Sequence, residues 1–289
     1  MLHFIRGFLM GSADVVPGVS GGTIALIVGI YPRLIGNVRT GAGALGSFVR
    51  GRFADGVDRL RAIEWGFLLP LLAGMFAALI TLARLIEHLL EDYPVELSGL
   101  FFGLVFASIF VAWHMVGEWD PIRLATAAAV AIAAFFLLGL RSGEAQDPAT
   151  WIFFVAGAIA ICAMILPGVS GSFLLLILGM YEALLEAVND LDLAVLAVFI
   201  VGAVVGLALF SSALHWALET HHDLVMAGIT GLLLGSLRVL WPWPNGIDGP
   251  ELAMPDAGDF AAPFLLSVVG AGLVIIMTRL GSRTRVEAG

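Results

Sequence analysis

A short motif with the residues of an anion-binding turn occurs twice in the chain. The pentapeptide PGVSG stands at residues 17–21 and again at residues 167–171. Proline interrupts a helix, glycine permits a tight turn, and serine is favoured at the start of a helix. Each copy therefore predicts a helix that breaks and then restarts. The restarted helix presents free backbone N–H groups and the positive end of its dipole, which suit a phosphate or a carboxylate.

The residues that flank the motif complete the predicted anion site. We expect two helix N-termini to meet near the middle of the membrane and to hold the anion between them. The alternative is that the glycines serve only close helix packing. The candidate binding residues are Ser20, Gly21, Gly22, Thr23, Ser170, Gly171 and Ser172, and the candidate helix breaks are Pro17, Gly18, Pro167 and Gly168.

Charged residues near the motifs are candidates for ion coupling, because charge inside a membrane is costly. Asp14 precedes the first motif, at a position where the second copy has Met164. It is a candidate for proton or cation coupling, and the alternative is a cap or a partner for Arg6. Glu182 and Glu186 follow the second motif on one helix face and are further coupling candidates.

Three arginines fall on the predicted outer side of the membrane, against the usual trend. A guanidinium can hold a phosphate through two hydrogen bonds. Arg84 and Arg238 are therefore candidates to capture a phosphate head group, and Arg141 is a weaker one. The alternative is that Arg84 reaches towards the membrane surface or pairs with Glu87, which is also a coupling candidate.

The composition indicates an integral membrane protein. The chain has 289 residues, of which 60% are hydrophobic and 13% are charged, and its mean hydropathy is +1.00. The single cysteine, Cys162, cannot form an intramolecular disulfide. No metal-ligand spacing stands out, so we expect no metal or other cofactor, and no nucleic-acid partner.

The apolar segments predict an all-α fold with six full spans and two re-entrant hairpins. The arms of each hairpin, at about 1.5 Å per residue, fall short of a membrane core of about 30 Å. The predicted hairpins cover 3–36 (arms 3–16 and 20–36) and 150–187 (arms 150–166 and 170–187), and the predicted spans are 65–91, 97–117, 121–140, 194–219, 224–243 and 260–280.

The two motifs belong to a longer internal repeat. Residues 14–38 and 164–188 share 11 of 25 positions, and a second offset aligns Gly74 with Gly202 and Trp113 with Trp241. The predicted halves are 1–141 and 149–281 of one membrane domain, each a hairpin plus three spans. Three spans is an odd number, so the halves should be inverted. The arginine-rich segment 33–61 then lies in the cytoplasm, with both termini.

The segments DVVPGVSGGT and LPGVSGS, their spacing and the chain length resemble the undecaprenyl-phosphate (polyprenyl-phosphate) translocase family. The resemblance covers nearly the whole chain. It implies that the protein is not an enzyme and flips the lipid carrier undecaprenyl phosphate from the outer to the inner leaflet of the bacterial cytoplasmic membrane, for recycling in cell-wall synthesis. The polyprenyl-phosphate lipid would be its substrate, a proton or sodium ion a coupling partner, and membrane lipids its surroundings.

Two other functions are compatible with the sequence. Membrane undecaprenyl-diphosphate phosphatases resemble this architecture and carry a PG-x-S-R-S loop, but here Gly21 and Gly171 stand where the arginine would be. The segments EHLLE and EALLE keep an E-x-x-x-E spacing that leaves this alternative open. An ion-coupled transporter of a small soluble anion would use the same midplane site.

Overall fold

The chain is helical throughout the part that the structure describes, and no strand occurs there. The structure is a computed structural model and describes residues 1–15, 19–140, 148–246, 252–255 and 258–286, the side chains of Ala83, Glu87 and residues 280–286 excepted. The helices are α1 (Leu2–Asp14), α2 (Gly21–Ile27), α3 (Tyr31–Val49), α4 (Phe53–Ala62), α5 (Trp65–Asp92), α6 (Pro94–Met115), α7 (Pro121–Leu137), α8 (Thr150–Ile165), α9 (Gly171–Ile177), α10 (Tyr181–Asn189), α11 (Leu193–Thr220), α12 (His222–Ser236) and α13 (Ala261–Val286).

Several helices are long and apolar enough to cross a membrane. Within the described residues four qualify, and they lie in α5, α6, α11 and α13. The pair α9 and α10, bent by 111°, would make a fifth if it counts as one span. Helices α7, α8 and α12 are apolar but have only 15–17 residues. The prediction of an all-α integral membrane protein is thus confirmed.

Four close helix pairs build the molecule. Helix α1 packs on α5, α8 on α11, α6 on α13 and α7 on α12. A Cβ atom at Gly74 of α5 would lie 2.1 Å from the carbonyl oxygen of Phe4 in α1. A Cβ atom at Gly202 of α11 would lie 2.0 Å from the carbonyl oxygen of Phe154 in α8. These matching contacts support the duplication that the sequence predicts. The half boundaries and the opposed orientation of the halves stay predictions.

The second arm of each hairpin is broken once more, which corrects the prediction of continuous arms at 20–36 and 170–187. Helix α2 ends at Ile27, and Gly29 then adopts a φ of +69°. The N–H groups of Gly29 and Ile30 bond back to the helix and close a Schellman-type cap. Gly179 has the same φ and the same place after α9. The glycine conformation ends each short helix, and a new helix begins two residues later.

Two further boundaries differ from those predicted. The span predicted at 224–243 ends as an α-helix at Ser236 and continues as turns. The basic segment 33–61 contains a separate helix, α4, in addition to most of α3. The other five predicted spans correspond to α5, α6, α7, α11 and α13. Their ends differ from the predicted ones by three residues or fewer, except that α13 continues to Val286.

The short helix α2 lies at the centre of the fold. All seven of its residues are buried, and it contacts α1, α3, α6, α8 and α13. A hydrophobic cluster that includes residues of both predicted halves surrounds it. Residues 19–21 of the first motif and helix α2 are therefore enclosed by protein, which is the condition under which broken backbone is tolerated at membrane depth.

The contact between α7 and α12 yields a stability prediction. A Cβ atom at Gly231 would collide with the backbone of Ala127, whereas one at Gly228 in the same helix would meet nothing within 4 Å. We expect Gly231→Ala to destabilise the protein by about 1–3 kcal/mol. Gly228→Ala should be neutral or slightly stabilising. Thermal unfolding in detergent compares the two, and equal melting temperatures would contradict the predicted close contact.

Candidate functional site

The turns of the two motifs meet in the interior. The N–H of Gly168 donates to the hydroxyl of Thr23 at 2.9 Å. The hydroxyl of Ser20 lies 3.2 Å from the carbonyl oxygen of Leu166 and 3.3 Å from that of Met164. The hydroxyl of Tyr31 donates to the carbonyl of Ile165 at 3.2 Å. Side chains of the first copy therefore bind the backbone of the second.

These bonds satisfy the end of helix α8. The last carbonyls of a helix have no partner within it, and inside a membrane no water replaces one. Helix α8 ends at Ile165, and its final carbonyls accept from Ser20 and Tyr31. Tyr31 and Thr23 are both fully buried. The sequence offered one signal for Tyr31, since Tyr181 stands at the same place in the second copy.

Asp14 occupies the start of helix α2. The N–H of Gly21 donates to a carboxylate oxygen of Asp14 at 2.6 Å. The next N–H, of Gly22, donates to the hydroxyl of Ser20 at 3.1 Å, and that of Thr23 to the carbonyl of Ser20 at 2.8 Å. The predicted cap at Ser20 is confirmed. The donors expected to receive an anionic substrate at α2 already hold a carboxylate and a hydroxyl.

The start of helix α9 is built differently. Ser170 stands at the N-cap position, but its hydroxyl lies 2.8 Å from that of Ser172 and does not cap the helix. Capping by the Ser170 side chain was therefore predicted wrongly. Met164 stands at the position that Asp14 has in the first copy. A Cβ atom at Gly171 would lie 2.6 Å from the Cγ atom of Met164. The two motifs thus share a backbone path but differ in charge.

Arg238 lies beside an apolar cavity in the described part of the chain. The cavity has a volume of about 370 Å³ and is lined by Phe102, Phe135, Leu234, Leu237, Arg238, Trp241, Leu252, Ala253 and Met254. The guanidinium carbon of Arg238 stands 4.6 Å from the centre of the Phe135 ring. No described carboxylate lies within ion-pair distance of it. A single cation on an apolar wall suits an anionic head attached to an apolar chain.

A short segment covers this cavity. The indole N–H of Trp241 donates to the carbonyl of Ala253 at 2.9 Å, and the N–H of Ala253 donates to the carbonyl of Trp243 at 3.2 Å. Residues 252–254 are thereby held against the turns that follow α12 and line the cavity. Phe135, Trp241 and this segment were not predicted as site residues from the sequence. An apolar residue in an apolar chain carries no local signal of that role.

The structure places the remaining candidates away from these two centres. Arg84 is exposed on α5 and does not line the cavity, and Glu182 and Glu186 are exposed on α10. The structure therefore shows no contact that supports their predicted roles. The side chain of Glu87, and all of Pro17, Gly18 and Arg141, lie outside the described residues. Pro167 precedes Gly168, which has a φ of +88° within the second turn.

A polar cluster at the start of α5 ties this helix to α3. The guanidinium of Arg33 donates to both carboxylate oxygens of Glu64, at 3.2 Å for Oε1 and 3.0 Å for Oε2 from Nε. Asn37 donates to the same carboxylate at 3.2 Å and accepts from the backbone N–H of Glu64 at 2.8 Å. The bonds from Arg33 and Asn37 hold the pKa of Glu64 below its usual value. This arginine is thus engaged, in contrast to Arg238.

Comparisons with known proteins agree on one family. Residues 10–253 match the family described as undecaprenyl phosphate translocase-like. A polyprenyl-phosphate transporter of Vibrio cholerae is 41% identical over 242 residues, which are 83% of this chain and 77% of the relative. A polyprenyl-phosphate transporter of Staphylococcus aureus is 31% identical over 258 residues, covering 83% of this chain and 86% of the relative. No solved structure matches.

The bond between the two motifs leads to a testable prediction. Thr23→Val keeps the shape of the side chain but leaves the N–H of Gly168 without its acceptor in a buried place. We expect a loss of about 1–3 kcal/mol in stability. Thr81→Val is the control, because the hydroxyl of Thr81 is exposed and bonds only within its own helix. Thermal unfolding should separate the two variants, and an unchanged Thr23→Val would refute the proposed link between the motifs.

Proposed function

Because the chain belongs to the undecaprenyl phosphate translocase-like family, we propose that it moves polyprenyl phosphate across the bacterial cytoplasmic membrane. The lipid carrier travels from the outer to the inner leaflet, where envelope synthesis uses it again. The protein carries the intact phosphomonoester and breaks no bond. The names of the relatives in Vibrio cholerae and Staphylococcus aureus support this substrate.

The observation that carries the proposal is the cavity beside Arg238. A polyprenyl phosphate has a small anionic head on a long apolar chain. The cavity offers one guanidinium for such a head and otherwise apolar side chains, and its volume lies within the range of about 300–1,000 Å³ that is usual for ligand sites. A soluble anion would need several polar partners to replace its water. The site therefore favours a lipid phosphate over a small soluble anion.

The centre of the protein supports a transporter and disfavours a phosphatase. Hydrolysis of a diphosphate requires cationic groups that stabilise the transferring phosphoryl group. A Cβ atom at Gly21 would lie 2.5 Å from a carboxylate oxygen of Asp14, and one at Gly171 would lie 2.7 Å from the carbonyl of Ala160. An arginine at either position would have to displace these groups. The glycines thus serve close packing of the turns, in a place where the phosphatases resembling this chain carry an arginine.

We assign the two motifs different parts in translocation. The first, through Ser20, Gly21, Gly22 and Thr23, holds the two hairpins together. The second, at Ser170, Gly171 and Ser172, remains our proposed point of contact for the phosphate head during its passage, since the described hydroxyls there bind only each other. Arg238 receives the head from the outer leaflet. Arg84, exposed on α5, is a second and weaker point of capture.

Asp14 is our proposed coupling group. It is the acidic residue at the junction of the two hairpins, and its carboxylate bonds to the first N–H of α2. Gain or loss of a proton, or contact with a sodium ion, would change the charge at the centre and shift the balance between outward and inward states. Glu182 and Glu186 are weaker candidates because they are exposed.

The orientation in the membrane is part of the proposal. The arginine-rich region of α3 and α4 lies in the cytoplasm with both termini, and the segment after α12 faces outwards. The cavity beside Arg238 then opens towards the outer leaflet, which is where spent lipid carrier has to be captured.

Transport in proteoliposomes tests the function. We expect labelled undecaprenyl phosphate to move between leaflets, and no phosphate to be released from undecaprenyl diphosphate in the same preparation. Arg238→Ala should lower transport about tenfold or more, because a charge-assisted bond to the phosphate is lost. Arg238→Lys should keep part of the rate.

Arg61→Ala is the control for this experiment, since Arg61 is exposed and lies outside the cavity. A loss confined to Arg238→Ala supports capture by Arg238. Release of phosphate would overturn the proposal in favour of the enzyme, and full transport by Arg238→Ala would remove Arg238 from the mechanism.

The role of Asp14 has its own test. Asp14→Asn keeps an oxygen for the N–H of Gly21 but removes the charge, so the protein should fold while transport no longer responds to a proton or sodium gradient. Asp14→Ala also removes the cap, at a cost of about 0.5–2 kcal/mol in stability. Asp190→Asn, exposed at the end of α10, is the control. A gradient response that persists in Asp14→Asn would assign coupling to another residue.

A further inference from the structure

A second cavity shares two lining residues with the one beside Arg238. It has a volume of about 220 Å³ and lies between α7 and α12, lined by Ala131, Ile132, Phe135, Phe136, Leu234 and Gly235. Phe135 and Leu234 line both cavities. We call the second one the prenyl groove. Its lining contains no charged or polar side chain, whereas the first cavity contains Arg238.

We infer that the prenyl groove binds the first isoprene units of the lipid whose phosphate contacts Arg238. The inference rests on the proposed function and adds a recognition site for the chain to the one for the head. The ligand is a prenyl monophosphate, held at both its charged end and the adjoining hydrocarbon.

The order of the groups along the surface carries this inference. The guanidinium of Arg238 lies over the ring of Phe135 and against Gly139, and it makes no hydrogen bond to a described residue. Phe135 also begins the prenyl groove. A chain that leaves a phosphate bound to Arg238 therefore meets the groove next to the head. An uncharged lipid could use only the groove, and it would gain nothing from the guanidinium beside it.

Close packing of two helices gives the groove its depth. A Cβ atom at Gly235 would lie 2.6 Å from the carbonyl of Ala131 and from Cβ of Ala134. These small residues bring α7 and α12 together and form the floor. Ile132, Phe136 and Leu234 stand beside it and are 59%, 65% and 50% exposed, respectively. The groove is thus open along its length to the lipid phase, where the remainder of a long chain can stay.

Chain-length dependence of binding tests the inference. The probes are prenyl monophosphates of increasing length, from dimethylallyl through geranyl to farnesyl phosphate, bound to the purified full chain in nanodiscs. We expect affinity, corrected for the partition of each probe into protein-free nanodiscs, to rise with each added isoprene unit, roughly tenfold over the series, because each unit packs more closely against the groove than against lipid. Inorganic phosphate alone should bind most weakly.

Ile132→Trp fills the groove, and Ile132 does not line the cavity beside Arg238. We expect it to flatten the chain-length dependence while leaving dimethylallyl phosphate bound as in the unaltered protein. Ile200→Trp is the matched control, because Ile200 is 58% exposed on α11 and belongs to neither cavity. If Ile132→Trp fails to fold, Phe136→Ala removes one wall of the groove, and Phe136 does not line the cavity beside Arg238.

The outcomes separate this inference from the proposed function. A chain-length dependence that survives both groove variants overturns the prenyl groove, even when transport of undecaprenyl phosphate is normal. Equal binding of dodecyl phosphate and farnesyl phosphate overturns recognition of isoprene units and leaves a general site for alkyl chains. Absence of transport in the unaltered protein would instead count against the proposed function.

Discussion

The need to satisfy broken backbone inside a membrane shapes this protein more than any other constraint. Each motif interrupts a helix, and an interrupted helix leaves carbonyl and N–H groups that lipid cannot bind. Here the carbonyls at the end of α8 accept hydrogen bonds from the hydroxyls of Ser20 and Tyr31, and the N–H of Gly168 donates to the hydroxyl of Thr23. Because these partners lie in the first hairpin, the break of the second motif is completed by the other half, whereas Asp14 and Ser20 satisfy the start of α2 from its own half. Separating the two turns would leave several polar groups without partners at once.

This constraint bears on how the protein can move. Bonds between the turns are costly to break in a dry interior, so we expect the two hairpins to move as one unit. The contacts of α7 with α12 and of α6 with α13 are packed through small residues such as Gly235 and Gly103. Each pair also has a polar contact, from Arg123 to Asp223 in the first and from Ser267 to the carbonyl of Gly99 in the second. On our proposal, alternating access requires helix pairs to shift around the fixed polar centre, and these two polar contacts would have to be kept or exchanged during the shift.

The sequence predicted the breaks well because proline and glycine act locally. It also predicted most spans, since hydropathy depends only on composition. It failed where a second glycine mattered: Gly29 ends α2 by adopting a positive φ, although its repetition at Gly179 was visible in the sequence. The bond between Thr23 and Gly168 joins residues 145 positions apart. Nothing local distinguishes such a pair, and nothing local separates Arg238, beside a cavity, from Arg84, exposed on α5.

The two predicted halves differ in charge at positions that their repeat aligns. Asp14 has Met164 as its counterpart, and the offset that aligns Trp113 with Trp241 places Phe110 opposite Arg238. A perfectly symmetric carrier would present equal sites to both leaflets. In our proposal, Arg238 captures the head group and Asp14 couples transport to an ion, so the two tasks fall on different residues, one in each predicted half.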